Sequence, residues 1–421
     1  MQQRSRVPMF WPAAWSGDQA ASMLAASPVN CLIAEPAAEP QARKAAAAKG
    51  IEFLPLRWSA WSETDWSKPS PFAISDGVWP GAAASQNRQE GGPTGAPWVD
   101  ANGWIVQLAR ALAPADSEIW INSKPPEELR AIETNQYLLG LAEAHAYGAR
   151  RPVWLAPHHA SEALEGKGEG AAAWKSINAL LAWLEPRQLW RPYRPVSSLL
   201  VISDFAGANE YMAGEVLNLA ARQHIAFTPV HTRHASADSF ADMRAALYVD
   251  PQPVPAPLAA AMKAFVQSGG LLIAMKAPAS AIGPAKLTGE SHPRFDLFLS
   301  GNGRLAIPKQ DFDDPWILAR DAHLLMSRRW DSIRLFNAGS MLAFHAAAPA
   351  GRTSIVHLLN YTCRASANPV SLQIPSGVRA ARLHTPGHAV PAAAAIQRRD
   401  GRNEIDIQPY AVYCALELIH S

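Results

Sequence analysis

Short apolar runs alternate with amphipathic stretches along the first 185 residues of this 421-residue chain, and this alternation constrains its fold more than any other feature. The apolar runs predict strands at residues 8–15, 29–35, 51–58, 72–79, 118–123 and 152–157. The intervening stretches predict helices at 17–27, 39–50, 127–148 and 171–186, and the stretch 98–114 leads into a further helix near Trp104. Strands that alternate with helices at this spacing indicate parallel βαβ units.

Six or seven such units in about 180 residues suit either a compact (β/α) barrel or an open doubly wound sheet. A full barrel usually needs about 200 residues or more, so we expect a short or incomplete barrel. Ligands bind beyond the carboxyl ends of the strands in either architecture. Polar and aromatic residues follow the predicted strands at Trp11, Trp15, Glu35, Trp58, Trp61, Asp76, Trp79, Asn122, His158 and His159.

The pattern restarts after a proline-rich segment near residue 191. Strands at 197–205, 225–230, 245–251 and 271–277, separated by helical stretches, predict a second α/β domain of the flavodoxin-like kind. Short alternating runs at 354–362, 369–374, 379–385, 403–409 and 411–419 predict an antiparallel β-sandwich. The expected fold is therefore α/β with a C-terminal sandwich, divided into domains at 1–190, 191–332 and 333–421.

The composition excludes several classes of protein. Lys and Arg number 38 against 36 Asp and Glu, and a net charge of +2 gives no field that attracts nucleic acid or an anionic membrane. Three distant Cys without CxxC spacing argue against a disulfide framework and a structural zinc site. No apolar run reaches the ~18 to 20 residues of a spanning helix, and the N-terminus lacks a signal-peptide core. We expect a soluble protein, either cytoplasmic or exported with its signal removed.

The order of the three parts resembles that of multidomain glycoside hydrolases. The stretch ALYVDPQPVPAPLAAAMKAFVQSGGLLIAM is similar to the amidotransferase-like trimerisation domain of beta-galactosidases that carry one. IVHLLNYT and RNEIDIQPYAVYCALEL are similar to their terminal sandwich, and SDGVWPG and GPTGAPWVDANGW resemble uncharacterised glycosidase-like barrels. The resemblance implies a carbohydrate substrate and a homo-oligomer formed through the middle domain.

The sequence departs from that family at its catalytic motif. No Asn-Glu pair follows an early barrel strand, because the two pairs present are Asn209–Glu210 and Asn403–Glu404. The family's catalytic residues therefore have no counterparts to be carried over. Residues 195–310 contain no Cys, so the middle domain lacks a thiol nucleophile, and we expect it to be structural.

Glycoside hydrolysis needs two carboxyl groups, ~5 to 5.5 Å apart for retention and ~6.5 to 9.5 Å apart for inversion. The candidates are Asp76 and Asp100 in acid/base and ion-stabilising roles, with Glu35 as the substitute partner. Glu35 and Asp76 end predicted strands, and Asp100 lies in a Gly- and Pro-rich loop. Each has an alternative structural role: Asp76 in a turn with Gly77, and Asp100 as a helix N-cap.

Aromatic and amide side chains near these acids are the candidate sugar contacts, since sugar C–H faces stack on aromatic rings. If residues 98–102 are extended, Trp98, Asp100 and Asn102 share one face; alternatively, the tryptophans of this loop bury around a helix cap. His158 and His159, in an extended segment, would point apart and make a poor metal site. The predicted substrate-binding residues are Trp11, Trp79, Trp98, Asn102, Trp104 and His158.

The expected function is a glycosidase that acts on an O-glycosidic bond through paired carboxylates, without a cofactor or metal. The alternative is a non-catalytic carbohydrate-binding protein on a degenerate barrel. Carboxylates that share one cleft favour the enzyme, whereas acids on separate faces favour the binder. We expect no nucleic-acid or membrane partner.

Overall fold

The structure is a computed structural model that describes residues 5–15, 17–82, 99–126 and 132–421, with the backbone alone at 17–19 and 21. It is a mixed α/β fold with several sheets. In the first region, residues 5–190, every described strand is two or three residues long. The strands are β1 Pro8–Phe10, β2 Cys31–Ile33, β3 Glu52–Phe53, β4 Phe72–Ile74, β5 Gly81–Ala82, β6 Val99–Asp100 and β7 Ile119–Ile121. The helices are α1 Gly17–Ala25, α2 Glu39–Lys49, α3 Gly103–Leu112, α4 Thr134–Ala146, α5 Pro157–Glu165 and α6 Gly168–Leu184.

The strand pairs of the first region are parallel, as the alternation predicts, except for the antiparallel pair β5 and β6. β1 lies between β2 and the segment 150–153, and β7 lies between that segment and β4. Single parallel bridges complete these contacts, at Met9–Val153, Ser59–Ile74 and Trp120–Arg150. The segment 52–59 therefore contacts β2 at one end and β4 at the other.

The predicted strands of this region are longer than the observed ones, and two differ most. The run at 8–15 pairs only over Pro8–Phe10, because the chain turns at Ala13 and Ala14 directly afterwards. The run at 152–157 contributes one bridge at Val153, and helix α5 begins at Pro157. Proline suits the first helical turn because its missing N–H would have no partner there.

Alternate residues of these strands form a separate apolar cluster. Phe10, Cys31, Ile33 and Trp120 are buried in it, and Leu54, Leu56, Trp58 and Trp154 pack against them. At the amino ends of the strands, Arg6 donates to Glu52 at 2.7 Å and to Glu118 at 2.9 Å. Aromatic rings and one ion-paired arginine therefore fill this interior, which accounts for part of the chain's high Trp content.

The middle region, residues 191–332, contains a seven-stranded sheet in the order β10-β9-β11-β12-β15-β14-β13. Its first five strands are parallel, in the flavodoxin-like order 2-1-3-4-5, and β14 and β13 add an antiparallel edge that the sequence pattern did not predict. The strands that begin in this region are β8 Arg194–Pro195, β9 Leu199–Ser203, β10 Phe227–His231, β11 Ala245–Tyr248, β12 Leu271–Ala274, β13 Lys286–Leu287, β14 Phe295–Ser300 and β15 Gly303–Pro308. The helices are α7 Glu210–Arg222, α8 Ala256–Gln267, α9 Lys276–Ser280 and α10 Pro315–Met326.

The C-terminal region consists of two antiparallel sheets, as predicted. One sheet has the order β16-β19-β23-β22 and the other β21-β20-β24-β18-β17-β8. Val356, Leu358 and Leu416 of the larger sheet share a core with Leu372 and Ile405 of the smaller one. The strands are β16 Arg334–Phe336, β17 Met341–Ala347, β18 Thr353–Asn360, β19 Val370–Ile374, β20 Val378–His384, β21 Ala392–Ala394, β22 Gln397–Arg399, β23 Arg402–Ile407 and β24 Tyr413–His420. Among the described residues, no helix has the length and apolar character needed to cross a membrane.

Candidate functional site

A cleft of about 510 Å³ lies at the carboxyl ends of β1, β2 and β7. The loops that follow these strands and the Val153 bridge supply its walls, since parallel strands end at the same edge of their sheet. We call it the mouth cleft. It is lined by Phe10, Trp11, Pro12, Ala13, Ala14, Glu35, Ala38, Lys124, Pro125, Pro126, Trp154, Leu155, Ala156, Pro157, His158 and Ala160.

Aromatic rings from the interior of the first region extend into the mouth cleft. The ring centroids of Phe10 and Trp154 lie 3.9 Å apart, and Trp58 stacks on Phe10 at 5.7 Å with 25° between the planes. Trp154 is half-buried, so part of its ring stays accessible. The cleft therefore offers apolar ring surface of the kind on which a sugar can stack.

Polar groups surround this aromatic surface. Glu35 lies two residues after β2 and is exposed, and Lys124 and His158 line the same cleft. Trp11 is 5% exposed, yet its indole Nε1–H donates to no described residue.

His158 and His159 lie in the first turn of α5 instead of the extended segment that the sequence suggested. Their ring centroids are 4.1 Å apart, but the two rings do different things. His158 is exposed in the mouth cleft, whereas His159 is buried and its Nδ1 lies 3.0 Å from the Tyr137 hydroxyl. Burial lowers the pKa of His159. No group of three or more metal-ligating side chains occurs within the described part of the chain.

Asp76 lies two residues after β4, at the carboxyl edge of the parallel segments, but it is not among the residues that line the cleft. Its carboxylate accepts a hydrogen bond from the backbone N–H of Trp61 at 2.7 Å. Burial raises its pKa, and nearby Glu210 and Glu63 add to that effect. The observed hydrogen bond thus fixes the loop at Trp61. The raised pKa of the Asp76 carboxyl is the property that a general acid would need.

Asp100 lies in β6, away from the mouth cleft. Its Oδ1 is 3.7 Å from Nη2 of Arg222 on α7, and its side chain is 44% exposed. Helix α3 begins at Gly103 with Asn102 as its N-cap residue, and no side-chain hydrogen bond caps it. Asp100 therefore links the first and middle regions and does not cap the helix.

Asn102 is buried, and both ends of its amide are engaged. Oδ1 accepts from the N–H of Val78 at 2.7 Å, and Nδ2 donates to the carbonyl of Val78 at 3.0 Å and to Glu143 at 2.7 Å. Tyr361 of the C-terminal region donates to the same Glu143 at 2.5 Å. Asn102 was predicted to contact sugar, but its side chain connects its own loop to the loop of Val78 and to the buried carboxylate of Glu143.

The sequence analysis missed Glu143, which is completely buried on α4. Burial raises the pKa of its carboxyl, while the hydrogen bonds from Tyr361 and Asn102 oppose that shift. A lone Glu within the apolar helix sequence LGLAEAHA was the available signal. Glu143 is 1% exposed and its hydrogen bonds connect α4 to the segments of Asn102 and Tyr361, which is a structural role.

The remaining predicted contacts lie elsewhere. Trp79 packs edge-on against Tyr137 at 5.3 Å, with the guanidinium of Arg151 4.9 Å from its ring centroid. Trp104 faces α7, where a methyl group at Gly214 would lie 3.5 Å from its ring. Trp98 is outside the described residues. Of the nine predicted site residues, Trp11, Glu35 and His158 line the mouth cleft.

The chain was compared with known proteins. No family profile and no curated sequence matches it. Among solved structures it is similar to alpha-L-fucosidase isoenzyme 2 from Paenibacillus thiaminolyticus, with a TM-score of 0.54 and 10% identity, over 91% of this chain and 70% of that chain. A rhamnosidase from Novosphingobium sp. gives a TM-score of 0.52 at 12% identity, over 76% of this chain and 33% of that one.

A catalytic mutant of a GH42 beta-galactosidase from G. stearothermophilus gives a TM-score of 0.51 at 10% identity. The match covers 75% of this chain and 56% of that chain, so this chain spans little more than half the length of the galactosidase. At such identities the likeness concerns the fold alone, which resembles that of these glycoside hydrolases. The resemblance inferred from the sequence is supported at this level.

Proposed function

We propose that the protein binds a carbohydrate in the mouth cleft. The observation that carries the proposal is the half-buried Trp154 ring packed on Phe10 at 3.9 Å, in one cleft with the exposed Glu35 and His158. Such a site combines ring surface for sugar C–H faces with donors and acceptors for hydroxyls. Glycosidases of similar fold support the choice of ligand class.

The same proposal includes the architecture. The first region is a short (β/α) barrel of six parallel segments, and the mouth cleft is its carboxyl opening. An amidotransferase-like domain at 191–332 and a sandwich at 333–421 follow. Support comes from the order of parallel contacts, in which segments 52–59 and 150–153 each join two neighbours.

Binding without hydrolysis is the version that the carboxylates favour. Glu35 lines the cleft alone among the three candidate acids, because Asp76 caps the loop at Trp61 and Asp100 faces Arg222. Acids placed in this scattered way supply no pair on either side of one bond.

Hydrolysis is the second candidate, favoured by the pKa of Asp76 and its position on the same sheet edge as Glu35. One segment separates β2 from β4, which at ~4.8 Å per strand spacing places the two acids about 10 Å apart. That separation is near the upper limit for an inverting pair. In this candidate Asp76 would protonate the leaving group and Glu35 would activate water.

Calorimetric titration with a panel of oligosaccharides tests the binding proposal. Trp154→Ala removes ring surface and Glu35→Gln removes a charged acceptor, and each should weaken binding about tenfold or more. Asp100→Asn, a matched carboxylate change outside the cleft, should leave affinity unchanged. Equal affinities in all four proteins would exclude the cleft as the binding site.

Release of the aryl group from aryl-glycosides separates the two candidates. The binder gives no turnover with the native protein, whereas the hydrolase gives turnover that Asp76→Asn and Glu35→Gln both abolish. Turnover that survives both changes would exclude this acid pair.

A further inference from the structure

The strand order of the middle sheet creates a second candidate site. From β9 the chain crosses to β10 on one side, and the next strand, β11, pairs with β9 on the other side. Loops from β9 and β11 therefore leave the sheet in opposite directions and open a crevice at their carboxyl ends. Ligands of open parallel sheets bind at such a topological switch point.

A cavity of about 370 Å³ occupies this position, and we call it the switch-point cavity. The start of α7 and the segments after β11 and β12 supply most of its walls. It is lined by Ala208, Asn209, Tyr211, Met212, Val249, Pro251, Gln252, Met275, Asp311 and Phe312. The volume is within the usual range for small-molecule pockets.

Asn209 lines this cavity, and its side-chain amide is held by hydrogen bonds. It is 6% exposed, and its Nδ2 donates to Asp204 Oδ1 and to Gln252 Oε1, both at 3.0 Å. These two bonds fix the amide plane. No described residue donates to Asn209 Oδ1, so the carbonyl of the side chain remains available to a ligand hydroxyl.

Hydrogen bonds to Asp250 hold the loop that follows β9, next to the cavity. Asp250 is 2% exposed, accepts from Ser203 Oγ at 2.5 Å and accepts from the N–H of Asp204 at 2.8 Å. On the other side, the ring of Phe205 packs edge-on against Trp61 of the first region at 6.4 Å. A polar group held in one orientation binds with less loss of entropy than a mobile one.

The charges at the cavity narrow the class of ligand. None of the lining residues is Lys, Arg or His, and Asp311 lines the cavity while Asp204 lies directly behind Asn209. This arrangement repels phosphates and carboxylates. It suits neutral groups that donate hydrogen bonds, because amide and carboxylate oxygens are acceptors.

Aromatic surface is also present at the rim. Tyr211 is 73% exposed, the most exposed large aromatic ring of the described residues, and Phe312 lines the opposite wall. An exposed ring beside amide and carboxylate oxygens is the combination that a sugar ring uses.

From these observations we infer that the switch-point cavity is a second carbohydrate site, separate from the mouth cleft, that takes a neutral sugar ring. Tyr211 and Phe312 contact its C–H faces, and Asn209, Gln252 and Asp311 bond its hydroxyls. The inference does not depend on binding at the mouth cleft.

Saturation-transfer NMR with methyl glycosides of galactose, fucose and rhamnose tests this site on the full chain. The double variant Tyr211→Ala/Gln252→Ala changes two exposed side chains, so its fold should be retained, as circular dichroism would verify. We expect it to lose at least half of the saturation transfer to one of the glycosides. The matched control, Trp154→Ala, should keep the saturation transfer that the double variant loses, because Trp154 lines the mouth cleft and not the switch-point cavity.

The outcomes separate the two sites. Signals that disappear with Trp154→Ala and persist in the double variant would overturn this inference and leave the mouth-cleft proposal standing. The reverse result supports the second site alone. Absence of saturation transfer to every glycoside in the native protein would overturn the inference. So would protein resonances of the cavity residues that shift with CaCl₂ or inorganic phosphate but with no sugar.

Discussion

In the first region the parallel strands are two or three residues long and some neighbours touch through a single bridge, whereas β9 to β12 have four or five residues and pair along their length. The interior of the first region holds aromatic rings and an ion-paired arginine. The central strands of the middle sheet are mostly aliphatic and are buried on both faces. The comparison suggests that packed side chains replace backbone ladders in stabilising the first region.

The difference also bears on function. Phe10 and Trp154 belong both to the aromatic cluster of the first region and to the lining of the mouth cleft, so the proposed binding would share these two residues with stability. At the switch-point cavity the polar groups belong to loops, and the strands beneath them are stabilised independently. Variants of the cavity should therefore affect binding with less effect on stability than variants of the cleft.

The largest expected effect comes from removing a ring of the interior. Trp120 is fully buried on β7, and Trp120→Ala should lower the free energy of unfolding by about 3 to 5 kcal/mol. Denaturant unfolding monitored by tryptophan fluorescence measures it, since all but Trp316 and Trp330 of the 15 Trp lie at or before residue 190.

Trp120→Phe is the control, because it keeps a ring in the interior and should cost less than the alanine variant. A loss below about 1 kcal/mol for Trp120→Ala would contradict the idea that side-chain packing replaces the missing strand ladder.

Acid should destabilise the contact between the first and C-terminal regions. His145 and His357 are buried there, 6.1 Å apart between ring centroids, and burial lowers the pKa of both, that of His357 to about 3. His345 lowers the pKa of His357 further, and Tyr413 lies 2.8 Å from its Nδ1. A pKa below the unfolded value of ~6.5 means that the unfolded state binds protons first, so stability falls as pH decreases.

Each such histidine contributes a slope of about 1.4 kcal/mol per pH unit between pH 6.5 and the folded pKa. Denaturant titrations at pH 7, 6, 5 and 4 measure the slope, and His357→Gln should reduce it. The exposed His388 provides the control, since His388→Gln should leave the slope unchanged. An identical slope in both variants would show that His357 is not responsible.

The ion pair at the amino end of the first region should have a moderate effect. Arg6 bonds Glu52 and Glu118, and the Glu118 side chain is 11% exposed. Arg6→Met should cost about 2 kcal/mol, because a largely buried carboxylate loses its charged donor. Lys68→Met removes the exposed pair with Asp65 and should cost under about 0.5 kcal/mol, and equal losses would contradict the argument.

The sequence predicted β9 to β12 and five strands of the C-terminal region because these are continuous or alternating apolar runs, but it predicted none of β13 to β17, β21 and β22. In the first region the predicted strands are too long, since apolar residues such as Trp11 and Trp15 are buried after the strand has ended. Periodicity reports burial, and burial continues there without strand pairing. At residue 157 the proline was itself a helix-start signal that the strand prediction overlooked.

The position of the cleft was predictable from the strand ends, whereas the site residues themselves stay a prediction. Strand-end reasoning identified Glu35, Trp11 and His158, which meet in the mouth cleft. It could not identify Glu143, whose partners Asn102 and Tyr361 are 41 and 218 residues away. Burial of a carboxylate depends on which segments cover it, and local sequence does not encode that.

The smallest expected effect concerns Asp100, the predicted catalytic acid that the structure places on Arg222. The two side chains are 3.7 Å apart, with Asp100 44% and Arg222 9% exposed, and the amide of Asp100→Asn can still accept from Arg222, so this change should cost no more than about 1 kcal/mol of stability. Charge at this position should also leave carbohydrate affinity within twofold of the native value, because Asp100 does not line the mouth cleft. Calorimetry and denaturant unfolding of the same preparation measure both quantities. A tenfold loss of affinity or of turnover without a loss of stability would show that Asp100 contacts the ligand, and would restore it as a site residue.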